Sequence, residues 1–139
     1  MQGGKAGLTH AFPDATQVAG IDHVELGIPV AYGEALVGLA RAALSDPSLF
    51  EPRGGTVEKA VARLRTIRGI DEWTAHYVAL RVSREPDAFP ASDDLLRAAA
   101  TRNGARPSPA ALLRRAERWR PWRAYAAQHL WAAGDDAHV

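Results

Sequence analysis

The chain has 139 residues, a formal net charge of +1, and 47% hydrophobic against 24% charged side chains, which fits one globular domain with a true core. The absence of cysteine excludes disulfides, zinc ribbons, iron–sulfur clusters and thiol nucleophiles together. No apolar run approaches a membrane span and Met1–Leu8 lacks the hydrophobic centre of a signal peptide, so a cytoplasmic protein with no membrane partner is expected.

Residues 1–8 are expected to be a disordered N-terminus, and residues 9–139 one domain. From Thr9 onward Gly and Pro punctuate helical patterns, and nothing alternates as a strand would, so the expected fold class is all-α. Pro13-Asp14 opens a short helix that ends near Gly20, and Asp22 caps another that stops at Gly27. Pro29 starts a longer helix, Val30–Leu44, with Leu36, Leu39, Ala40 and Ala43 on its apolar stripe. Asp46-Pro47 and Pro52–Gly55 form a loop. Thr56 then caps a helix whose Val57, Ala60, Val61 and Leu64 fall at i, i+3, i+4 and i+7. A Gly-centred hairpin (Arg68, Gly69, Ile70, Asp71) leads into a helix over Glu72–Val82. The loop Ser83–Ala91 follows, and Ser92 is the expected N-cap of a helix reaching Thr101. Ser108-Pro109 begins a helix over Ala110–Trp119, and Pro121 begins the last, which stops at Gly134.

Charge is unevenly spread. Residues 1–62 carry four basic and seven acidic side chains, and residues 63–101 carry six of each. Residues 102–123 hold seven arginines, at 102, 106, 114, 115, 118, 120 and 123, against Glu117 alone. Such a block suits a phosphate-facing surface, since each cation that neutralises a phosphate releases a counterion. Charge alone leaves a solvated Arg-rich face equally open. The histidines offer no transition-metal set: His23-Val24-Glu25 lacks the cysteines of a zinc deaminase, and His76 and His129 show no HExxH spacing.

The segment Leu64–Arg97, LRTIRGIDEWTAHYVALRVSREPDAFPASDDLLR, carries most of the functional information. It contains LxxIxGIxxWTAxYxALR, and then a Ser-Asp-Asp that opens the next helix. Trp73 and Tyr77 share one helix face at i and i+4, and spacing alone is satisfied by a core stripe. Asp93 by itself is satisfied by helix capping.

This order of elements resembles the helix-hairpin-helix DNA glycosylases, most closely the 3-methyladenine DNA glycosylase II branch. The similarity runs over roughly Thr9–Ala133 and corresponds to the C-terminal part of the family protein. It implies a compact orthogonal helical domain with its hairpin motif at about 56–82. It also implies excision of alkylated purines such as 3-methyladenine from double-stranded damaged DNA. By motif position Asp93 is the catalytic carboxylate, with Asp94 the runner-up. Trp73, Tyr77 and Trp131 form the base pocket, where a cationic purine gains a cation–π interaction. Trp119 and Trp122 are expected to clamp the last two helices together. Gly69, Asp71, Thr74 and Arg114, Arg115 and Arg118 are the expected DNA contacts, Gly69 by letting backbone approach a phosphate. Asp71 stands where the family has a second Gly; its carboxylate is expected to repel phosphate and brake binding.

Bifunctional relatives carry a Schiff-base Lys where this chain has Trp73, and the only lysines are Lys5 and Lys59. The implied enzyme is therefore monofunctional, using water and no β-lyase step. No cofactor, zinc or iron–sulfur cluster is expected beyond an alkali cation (sodium or potassium) at the hairpin carbonyls of Arg65, Ile67 and Ile70. Two other readings stay open: a DNA-binding module without catalysis, and a helical protein-interaction domain.

Overall fold

A computed structural model describes residues 10–51 and 56–135. The disorder expected of residues 1–8 and the loop expected at 52–55 lie outside the described residues. Among the described residues seven α-helices follow in chain order: α1 Ala15–Gly20, α2 Val30–Ser45, α3 Val57–Leu64, α4 Glu72–Arg81, α5 Asp94–Ala99, α6 Pro109–Ala116 and α7 Arg123–Asp135. Short 3-10 turns lie at His23–Leu26 and Glu117–Trp119. Among the described residues the sole β-type pairing is an isolated bridge between Arg102 and Ala105. The fold is all-α. No helix among the described residues is long and apolar enough to cross a membrane.

Local capping chemistry sets most boundaries. Asp14 closes a capping box with Gln17 at the start of α1. The Asp22 side chain accepts from the Val24 amide, and Gly27 ends that turn in the left-handed region at φ 65°. Ser108 accepts from the Ala111 amide, with Pro109 in the first turn of α6. Thr56 sits at the cap position of α3 without a side-chain cap bond. The last helix begins at Arg123 rather than at Pro121.

The core lies where α3 and α4 meet α5, α6 and α7. Val57, Val61 and Leu64 of α3, Ala75, Ala79 and Leu80 of α4, Leu96, Leu112, Ala116, Ala124 and Ala127 are buried, joined by Phe89 from the α4–α5 loop. The many alanines let helix backbones approach closely, so the core is dense although few of its side chains are large. Of the expected α2 stripe, Ala40 is buried and Leu39 and Ala43 pack against the core, while Leu36 stays exposed and Gly33 and Val37 are buried as well. Gly33 lies against the 3-10 turn, where a Cβ would sit 2.9 Å from the His23 carbonyl oxygen.

Candidate active site

The hairpin joins α3 to α4. Gly69 has φ 86°, and a Cβ on it would sit 2.7 Å from Ala35 Cβ of α2. A side chain is therefore excluded by backbone conformation and by the close seating of the hairpin on α2. That packing reason stands beside the phosphate approach expected from the sequence. Asp71 is extended at φ −80°, and its carboxylate accepts from the Thr74 amide at 2.7 Å as the N-cap of α4. That contact holds its carboxyl below the ordinary range. Asp71 thus caps α4 and does not replace a glycine in a left-handed position.

From that cap, α4 carries Trp73 and Tyr77 on one face, stacked with ring centres 5.2 Å apart and planes 16° from parallel. The loop after α4 is tied down along its length. The Phe89 amide donates to His76 Nδ1 at 3.2 Å, and burial pushes the His76 imidazole below its ordinary pKa, consistent with an accepting neutral ring. The Ala124 amide donates to the Pro86 carbonyl at 2.9 Å. Arg123, 3% exposed, forks onto Asp87 at 2.7 and 2.8 Å. Phe89 is buried edge-on against Trp119 at 6.0 Å. This loop delivers Asp93 to the Trp73 end of the aromatic pair.

Asp93, and not Ser92, is the N-cap of α5, its Oδ1 accepting from the Leu96 amide at 2.8 Å. The same oxygen accepts from Trp131 Nε1 at 3.1 Å, and Oδ2 accepts from Trp73 Nε1 at 2.9 Å. Only 8% of the residue is exposed. A carboxylate offers about four acceptor sites, so Oδ2 keeps room for a further partner such as a water or a sugar. Trp131, from α7, also meets Tyr77 edge-on at 6.0 Å. The expected acid and the expected pocket aromatics therefore form one cluster. Asp94, one residue on, points elsewhere: its side chain is 79% exposed and pairs with Arg97 and Arg106.

The arginine block divides. Arg114 and Arg118 are exposed and form no ion pair among the described residues. Arg115 is half-buried and donates to the Ala100 carbonyl at 2.8 Å, so it braces α6 against the end of α5. Arg120 bridges Glu58, Asp87 and Glu117 at 3.0 to 3.1 Å. The Glu58 carboxyl is held down to about 2 by its backbone hydrogen bond and then by the Arg120 guanidinium. Trp122 does not clamp the last helices: it is 57% exposed and meets Tyr125 edge-on at 5.8 Å. Of the three expected cation-binding carbonyls, that of Ile67 already accepts the Ile70 amide at 3.1 Å, which leaves it one lone pair.

Comparison with known proteins finds relatives that match most of this chain. Over 124 residues, 89% of this chain, it is 44% identical to the "Probable bifunctional transcriptional activator/DNA repair enzyme AlkA" of Mycobacterium tuberculosis, covering 25% of that protein. It is 40% identical over 123 residues to DNA-3-methyladenine glycosylase 2 of Escherichia coli and 32% over 130 residues to DNA-3-methyladenine glycosylase of Bacillus subtilis. The chain is thus similar to proteins of the 3-methyladenine DNA glycosylase II family over most of its own length. It spans 25% to 42% of the length of these relatives. No family model matches it. Sequence reasoning missed Arg81, whose guanidinium lies over the Tyr77 and Trp131 rings at 5.6 and 5.4 Å. Its signal was present: Trp73, Tyr77 and Arg81 recur every four residues along α4.

Proposed function

We propose that this chain is the catalytic part of a monofunctional glycosylase that flips alkylated purines such as 3-methyladenine out of double-stranded DNA and removes them hydrolytically. The observation that carries the reading is the Asp93 carboxylate, held at both oxygens by the indoles of Trp73 and Trp131 beside Tyr77. Cleavage of an N-glycosidic bond builds positive charge on the sugar, and an anion fixed in advance stabilises that charge without reorganising. Three donors fix the Asp93 carboxylate, and its remaining acceptor capacity would serve as charge stabiliser or water acceptor. Trp73 occupies the position of the amine nucleophile of bifunctional relatives, so water completes the displacement. An alkali cation on the carbonyls of Arg65, Ile67 and Ile70 would suit their hard oxygen donors and add positive charge where the hairpin meets a phosphate.

The deciding experiment is release of free 3-methyladenine from methylated duplex DNA under single-turnover conditions. No release by the unmutated chain, with salt-dependent duplex binding intact, would replace this reading by a DNA-binding module without catalysis.

Phosphate contact is assigned to Arg114 of α6 and Arg118 of the 3-10 turn that follows it, both exposed and without an ion pair among the described residues. Replacing both by Ala should weaken binding to every duplex alike and flatten the plot of log affinity against log salt by about one unit for each phosphate no longer neutralised. Arg115→Ala should leave that slope unchanged and instead lower the melting temperature, because its hydrogen bond is internal. An unchanged slope in the double variant would leave Arg114 and Arg118 as solvated surface.

A further inference from the structure

The column along α4 does not end at Tyr77. One face of the Tyr77 ring stacks on Trp73, and the Arg81 guanidinium lies over the same ring, 5.6 Å from its centre. That guanidinium is also 5.4 Å from the centre of the Trp131 ring. Both distances are within cation–π reach. The two rings stand at 67° to one another, so one planar cation serves both. Arg81 is itself exposed, and no ion pair among the described residues holds it there. The rings are what it binds.

We propose that Arg81 is a built-in ligand of the aromatic slot, which any incoming base must displace. The proposal rests on the reading above that Tyr77 and Trp131 receive the flipped base. Displacement removes the same cation–π attraction whatever base arrives. A neutral, undamaged base has stacking alone to offset that loss. A cationic alkylated base restores the cation–π attraction with its own charge. Arg81 therefore raises the threshold for every base by the same amount, so that weakly held undamaged bases, present in vast excess, leave the rings unoccupied, while the ratio of the two affinities is unchanged. It acts by competition and touches neither Asp93 nor the bond that breaks.

The test uses free nucleosides, so that DNA contacts do not enter: adenosine as the neutral probe and 1-methyladenosine, a cation at pH 7, as the charged one. Their binding is followed through the indole N–H resonances of Trp73 and Trp131 in the intact chain. Arg81→Ala should tighten adenosine binding by about three- to tenfold, because no cation–π pair then has to be broken. The gain for 1-methyladenosine should be at least as large. Arg81→Lys should fall between the two forms. Arg84→Ala removes the same charge three residues away, where no ring contact exists among the described residues, and should leave adenosine affinity unaltered. A gain for the neutral probe is the diagnostic, since long-range charge does not act on it. If adenosine binds wild type and Arg81→Ala equally while still shifting the Trp131 resonance, the threshold idea is overturned and the slot survives. If neither nucleoside shifts either indole in any form, the slot reading fails and takes the proposal with it.

Discussion

Asp93→Asn is expected to slow release of 3-methyladenine by on the order of a hundredfold or more, the typical loss when a preorganised electrostatic group is removed from a site. Binding of a lesion-bearing duplex should change far less, because the missing attraction develops mainly in the transition state. The hydrogen bonds sharpen this expectation. An Asn oxygen can still accept from the Leu96 amide and Trp131 Nε1, but its amide nitrogen then faces Trp73 Nε1–H, donor against donor. A buried donor left without an acceptor costs about 1–3 kcal/mol, so thermal stability must be measured beside rate. Asp94→Asn is the matched control, an equal change of charge on an exposed side chain that pairs with Arg97 and Arg106. Comparable rate losses from both substitutions would trace the effect to the helix start, and an unaltered rate in Asp93→Asn would remove the carboxylate from the chemistry.

Arg123→Ala is expected to be strongly destabilising, by about 1.5–3 kcal/mol, because the largely buried Asp87 carboxylate loses its forked partner and keeps only Arg120. A domain of ordinary stability, about 5–15 kcal/mol, would lose a large share of its margin. Arg120→Ala removes a guanidinium from the same network, but its side chain is 42% exposed, so its loss should stay near or below about 1 kcal/mol. Urea unfolding of the two variants side by side makes the comparison. Equal small losses would show that Arg123 is an ordinary surface cation despite its burial.

The two sites differ in how far the sequence foretold them. Asp14, Asp22 and Ser108 act on amides two or three residues away, so their capping is visible in a window of a few letters. Ser92 and Asp93 are adjacent and chemically equivalent as caps, and only the aromatic donors arriving from α4 and α7 decide between them. Trp73 and Tyr77 are legible as neighbours from their spacing alone; Trp131 joins them across most of the domain, and family resemblance is what points to it. The Asp87–Arg123 fork joins residues in different elements, and no local pattern announces it. Hence the arginine block reads as one basic surface, when Arg115 and Arg123 are turned inward. In α2 only Leu36 departs from the expected stripe, since small residues at Gly33 and Gly38 leave its edge poorly marked, and the close approach at Gly33 is visible only in three dimensions.

The ties that His76, Asp87 and Pro86 place on the α4–α5 loop fix the reach from the hairpin to the acid. A span tied at these points is held more closely than an untied loop of the same length. On the proposed function the duplex supplies the motion, and the work of kinking and unstacking falls on the nucleic acid. Excision of one and the same lesion would then depend on the stiffness of its flanking steps, fastest beside a pliant pyrimidine–purine step and slowest within a rigid A-tract.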